Sequence, residues 1–221
     1  MLKRFYLWLH RKLSKPSQRE EYSGGYWQEK VREKVFYLCR EVKGKLADIG
    51  CGEGLFLARL AKARPELELW GVDNNSLRLK NAKERCEGLL IRNVRLLLQE
   101  AEELAFEDEF FDAITCINVF FNLDSIETVK KVLAQMKRIC KKGGIIVFDI
   151  RNSFNPLLKL KYGLARYYDD SVKNLPLNTY NQRQIQVILK ELGFTVLETE
   201  TVGGFCPKAL APIIIIKARK E

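Results

Sequence analysis

The sequence predicts an α/β fold: a mostly parallel seven-stranded sheet with an antiparallel last strand and helices on both faces. Three observations carry this. Short apolar runs alternate with stretches of helical periodicity along the chain. The first run, Leu46-Ala47-Asp48-Ile49, breaks into glycines at alternate positions, Gly50, Gly52 and Gly54, and helical spacing resumes at once in Leu55, Leu57, Ala58, Leu60 and Ala61. A second run, Leu67 to Val72, ends in the carboxylate of Asp73, 23 residues after Gly50.

Taken in order, residues 2–13 put Leu2, Phe5, Leu9 and Leu13 on one helical face, extended by Tyr6 and Trp8 and flanked by Lys3, Arg4, Arg11 and Lys12. The segment is amphipathic, and it is too short and too charged to span a bilayer. Lys15-Pro16-Ser17-Gln18 reads as a break, followed by the aromatic, glycine-containing stretch Tyr22 to Trp27. A helix is predicted over 27–42 with Val31, Val35 and Leu38 as its apolar seam. Strands are expected near 46–50, 67–72, 93–98, 110–116 and 145–150, with helices near 54–63, 76–87 and 125–141 between them. Asn181 to Leu192 reads as a helix closed by Gly193. Phe194 to Glu198 and Ala211 to Ala218 read as the last two strands. The connection 199–210 is too short for a helical crossover, so these two should pair antiparallel. Four consecutive isoleucines, 213–216, suit a strand buried on both faces.

Composition bounds the function. At 221 residues the chain is long enough for one full core. Of its net charge of +10, the first 45 residues carry +7, so the basic character belongs to the N-terminal part rather than to a broad nucleic-acid-binding face. The six cysteines (39, 51, 86, 116, 140 and 206) contain no C-x-x-C pair, and most stand in apolar runs. They read as reduced core cysteines of a cytoplasmic protein, Cys51 simply being a small residue that fits its turn. His10 is the sole histidine. No metal is expected, and a histidine base is excluded from the central domain.

The glycine turn points to a ligand. Glycine has no Cβ, so a molecule can lie on bare backbone, and the helix behind offers N–H groups and a partial positive charge. A carboxylate at the next strand tip suits a ribose diol, because it accepts from both hydroxyls. A P-loop would need Lys-Ser/Thr where Leu55-Phe56 stand. A dinucleotide fold would need glycine where Leu55 stands.

The stretch resembles motif I of the class I S-adenosylmethionine-dependent methyltransferases. Further segments match in register: Gly71-Val72-Asp73-Asn74-Asn75, Gln99 to Phe106, Phe110 to Cys116, and Ile139-Cys140-Lys141-Lys142-Gly143-Gly144. Glu100 stands for the usual Asp, Gln99 for a Gly and Lys142 for a Pro. The resemblance covers roughly residues 44–221. It implies a Rossmann-like methyltransferase fold with S-adenosylmethionine as cofactor and S-adenosylhomocysteine as product. The implied cofactor contacts are Asp48, Gly50, Cys51, Gly52 and Gly54 in the turn, Asp73 and Asn74 after the second strand, Glu100 and Ala101 on the adenine side, and Asn118.

Residues 1–43 are expected as a basic extension with cap helices, and 44–221 as the cofactor-binding domain. The insertion 151–180, with Arg151 to Pro156, a basic-aromatic run through Tyr168, and Asp169-Asp170, is expected on the acceptor side. Acceptor contacts are expected from Tyr26, Trp27, Phe121, Asn152 and Tyr180. The loop Cys116 to Asn122 lacks both the N/D-P-P-Y/F tetrad of base-amine enzymes and the Pro-Cys of RNA cytosine enzymes. The pattern resembles the branch that methylates small molecules, quinones and lipids at O or C. No catalytic residue is assigned. RNA methylation through the basic extension, and a non-catalytic binding protein, are the alternatives. Residues 2–13 leave open a peripheral contact with a membrane surface.

Overall fold

The computed structural model describes residues 26–158, 160, 162, 176–203 and 207–221. The amphipathic segment 2–13, the break at 15–18, the stretch before Tyr26, Arg166 to Asp170 of the insertion, His10 and Cys206 lie outside the described residues.

One seven-stranded sheet runs in the order β3-β2-β1-β4-β5-β7-β6. Its strands are β1 (Lys45–Ile49), β2 (Glu68–Asp73), β3 (Val94–Leu98), β4 (Phe111–Cys116), β5 (Cys140–Arg151), β6 (Phe194–Val202) and β7 (Ile213–Lys220). The first five pair in parallel, and β7 pairs antiparallel with both β5 and β6. The helices are α1 (Tyr26–Leu38), α2 (Leu55–Ala63), α3 (Ser76–Gly88), α4 (Ile126–Ile139) and α5 (Gln182–Glu191).

Alternation along the strands divides the core between two faces. Ile213 and Ile215 of β7 join Val31, Val35 and Leu38 of α1 and Leu57 and Leu60 of α2. Ile214 and Ile216 join Val132, Leu133 and Met136 of α4 and Ile185 and Leu189 of α5. Each isoleucine of the run is thereby removed from water, worth about 1.5–3 kcal/mol per side chain. The seam of α1, assigned by sequence to the segment before residue 44, packs in the same core as Leu46 of β1.

Several boundaries differ from expectation, among them the end of α1, which stops at Leu38 rather than 42. The helix expected to reach residue 141 stops at Ile139, and β5 begins at Cys140 instead of 145. The cause is long-range: the carbonyls of Arg138 and Ile139 accept from the Glu109 and Phe110 amides, and Cys140 pairs with Phe111. A bulge follows, carried by Gly143 at φ 75°. β6 runs on to Val202 rather than ending at 198, because β7 offers it a full-length partner through Val202↔Ile213.

The parallel strands all point their C-terminal ends to one edge. Ile49, Asp73, Cys116 and Arg151 end there, and the chain leaves each of them for a loop.

Candidate active site

A crevice of about 460 Å³ opens at that edge, within the range of small-molecule sites. Its floor is the turn between β1 and α2. Gly50, Gly52 and Gly54 all adopt left-handed backbone, with φ of 74°, 54° and 72°, which a side chain at these positions would strain. Gly50 has a second reason to be glycine: a Cβ there would lie 2.3 Å from Cγ2 of Val119. The Gly50 and Cys51 amides donate to the Val72 carbonyl at 2.7 and 2.9 Å. These bonds lock the turn to β2.

Asp73 closes the floor. It is 5 % exposed. One carboxylate oxygen accepts from the Gly52 amide at 2.8 Å and the other from the Asn75 amide at 2.9 Å. Asn75 in turn caps α3 through the Leu77 and Arg78 amides. The segment after β3 is tied on by side chains: Asn74 Nδ2 donates to Glu100 Oε2 at 3.0 Å, and Gln99 Oε1 accepts from the Ala105 amide at 2.9 Å.

Asp48, at the end of β1, is buried in the crevice wall. Burial pushes its carboxyl up to about 7, and the Asp73 charge adds to this; the Thr115 hydroxyl, donating at 2.7 Å, and the Arg32 guanidinium pull the other way. Burial also raises the Cys51 thiol well above its ordinary value, so it stays protonated and unreactive.

The opposite wall comes from the loop after β4. Asn118 adopts left-handed backbone at φ 59°, held by its neighbours on β5. Its amide donates to Asp149 Oδ1 at 2.6 Å, and its side-chain oxygen accepts from Arg151 Nη2 at 2.9 Å. Arg151 is ion-paired with Asp149, donates from Nε to the Tyr162 hydroxyl oxygen at 3.2 Å, and stacks 4.3 Å over the Phe121 ring. Burial raises the Asp149 carboxyl against the pull of Arg151 and the Asn118 amide.

The crevice therefore brings together Asp48, Gly50, Cys51, Gly52, Asp73, Asn74, Glu100, Ala101, Asn118 and Phe121. Gly54 is set back as the N-cap of α2, its Cβ position 3.0 Å from Ala82. Four of the expected acceptor contacts do not line the crevice. The Asn152 amide is spent bracing the chain, donating to the Ala209 and Ala211 carbonyls at 2.9 Å while its oxygen accepts from Phe154. Tyr180 is buried; its hydroxyl donates to the Phe120 carbonyl at 2.8 Å and its backbone pairs with Asn152. Burial pushes that hydroxyl up to about 12. Tyr26 and Trp27 pack edge to face on each other and lie outside the crevice lining. At 100° per residue they point away from the face that does reach it, which presents Gln28 and Arg32. Those two residues were missed. Gln28, Val31, Arg32 and Val35 share one face by i, i+3, i+4, i+7 spacing, so a buried arginine on the seam was the available signal.

Among the described residues no group of His, Cys, Asp and Glu could hold a metal ion, and no helix is long and apolar enough to cross a membrane.

A family model described as a methyltransferase domain matches residues 46–144, the span from β1 to the bulge in β5. Over that span the chain carries a methyltransferase domain. The enzyme is 28 % identical over 150 residues to phosphatidylethanolamine N-methyltransferase of Cereibacter sphaeroides, spanning 66 % of this chain and 71 % of that one. It is 36 % identical over 120 residues to the ubiquinone/menaquinone biosynthesis C-methyltransferase of Burkholderia mallei, spanning 52 % of this chain and 47 % of that one, about half the relative's length. The fold matches magnesium protoporphyrin IX methyltransferase from Synechocystis, solved with bound S-adenosylhomocysteine, at a TM-score of 0.69 and 16 % identity, over 88 % of this chain and 83 % of that one.

Proposed function

We propose that this methyltransferase acts on a small or lipid-like acceptor at O or C, and that residues 44–221 with α1 form its cofactor-binding unit. The observation that carries the site assignment is Asp73 beside the bare turn. Each Asp73 oxygen takes one amide hydrogen, so each keeps acceptor capacity for a ribose hydroxyl. Gly50 and Gly52 leave backbone open beneath the nucleoside, and Glu100, set by Asn74, borders the base. Asp48, Gln28 and Arg32 border the zwitterionic end, where a buried acid and a buried guanidinium match an ammonium and a carboxylate. Asn118 and Phe121 form the wall toward the acceptor.

S-adenosylmethionine supplies a methyl carbon on a sulfonium already disposed to leave. The chain aligns the nucleophile behind that carbon and keeps water out. The nucleophile–carbon bond forms as the carbon–sulfur bond breaks, and the acceptor proton passes to solvent or a nearby carboxylate. The lipid-like class draws support from the relatives that act on phosphatidylethanolamine and on quinones by their names. The apolar Phe121 in the wall agrees with it.

Titration calorimetry with S-adenosylhomocysteine tests the site. Asp73→Ala should weaken binding by about 1.5–3 kcal/mol, the worth of hydrogen bonds to a charged group. Unchanged affinity in a folded variant would remove Asp73 from the assignment. A turnover screen of quinols, phospholipids and water-soluble phenols tests the acceptor class.

A further inference from the structure

The edge that carries the crevice also carries an apolar face that the proposed chemistry does not use. Phe154, Leu157 and Leu160 are 59, 66 and 60 % exposed. Elsewhere among the described residues, exposed large apolar side chains stand singly or in pairs. The turn that presents them is firmly built: Leu158 is buried beneath, and its amide donates to Asn155 Oδ1 at 2.6 Å. Asn155 Nδ2 donates to the Leu210 carbonyl at 2.5 Å, and Asn152 binds the carbonyls on either side of Leu210. This brings in Leu210, 39 % exposed, and the exposed Lys208. Glu200, which feels the Lys208 charge, is itself bonded to Lys34 at 2.6 Å.

Charge tells what such a face fits. From Ile150 to Tyr168 the sequence has no acid and includes Lys159, Lys161 and Arg166; from Thr201 to Lys220 it again has none. An exposed apolar turn in a stretch of sequence that holds cations and no acids suits an interface between hydrocarbon and anionic headgroups. It suits an acidic protein surface less well, because three large apolar side chains stand at its centre. Position agrees. Arg151, the residue before this segment, stacks on Phe121 in the crevice wall. The segment that carries the exposed face thus leaves β5 beside the crevice wall.

We infer that the face formed by Phe154, Leu157, Leu160, Leu210 and Lys208 seats the enzyme on an anionic membrane surface with the crevice edge toward the bilayer. The inference deepens the lipid-like acceptor reading and rests on it for its purpose, but not for its test.

The test is co-sedimentation of the full chain with vesicles of phosphatidylcholine alone or mixed with phosphatidylglycerol. The wild-type chain is expected to pellet with the mixed vesicles and to be released by salt. The double variant Phe154→Ser, Leu157→Ser should partition about tenfold less or lower still, and Lys208→Glu about fivefold less. Both should keep wild-type affinity for S-adenosylhomocysteine, since neither position lines the crevice. Three results overturn the inference: no pelleting of the wild type, undiminished pelleting of the double variant (residues 2–13 then being the anchor), or a wild-type dimer in solution that the double variant dissolves. Vesicle binding with turnover only of water-soluble acceptors would instead defeat the acceptor reading and leave the surface standing.

Discussion

The two walls of the crevice are held by different means. On the cofactor side the chain uses backbone: three left-handed glycines, amide bonds to the Val72 carbonyl, and one carboxylate accepting two amides. On the acceptor side it uses buried charge: Asp149 and Arg151 grip Asn118 from below and Phe121 from behind. The first device joins two successive strand–helix units and is cheap to desolvate, because amide donors meet carbonyl and carboxylate acceptors at once. The second joins residues about thirty positions apart and takes two full charges out of water. It follows that the cofactor wall is limited by shape and the acceptor wall by charge balance.

The largest effect should therefore come from breaking that balance. Arg151→Met leaves Asp149 buried and unpaired, and urea unfolding should show a loss of about 3–5 kcal/mol. Adding Asp149→Leu should restore much of it. A cost below about 1 kcal/mol for Arg151→Met would mean the pair is effectively solvated, and the contrast between the walls would fail. Next comes Gly50→Ala. The added methyl meets Val119 and strains a backbone at φ 74°, so a loss of about 2–4 kcal/mol is expected. Val119→Ala in the same chain should return the steric part and leave the strain.

The last effect is a slope with pH rather than a single loss, and it concerns Asp48, which lines the crevice beside the glycine turn but behaves like the opposite wall. Its carboxyl is raised from 3.8 to about 7 by burial. Between those values the folded chain holds a proton that the unfolded chain has released. Stability from this group is therefore full at low pH and lost as pH climbs toward 7, by at most about 1.4 kcal/mol per pH unit for a single proton. Asp48→Asn should flatten that slope in unfolding measured from pH 4 to 8. An unchanged slope would assign it to other groups, Asp149 first.

The cofactor wall was legible because its determinants are contiguous. Gly50 to Gly54 and Asp73 announce a bend and an acid within two adjacent strand–helix units, and left-handed backbone leaves few choices but glycine. The acceptor wall was not. Asn152 and Tyr180 looked like pocket residues from their loop positions, yet their polar groups satisfy carbonyls that would otherwise be buried without partners. Arg32 hid in an apolar seam, and its pairing with Glu29 fixes a guanidinium that hydrophobic spacing alone would have read as a core position.

By itself, then, the sequence determined the order of strands and helices, the two-faced burial of the isoleucine strand and the glycine turn that floors the crevice, since periodicity and backbone freedom act over a few residues. Tertiary structure alone decided where β5 begins, which helix face looks into the site, and that Asp149 and Arg151 meet beneath Asn118. Those depend on which distant groups must satisfy one another once water has been excluded.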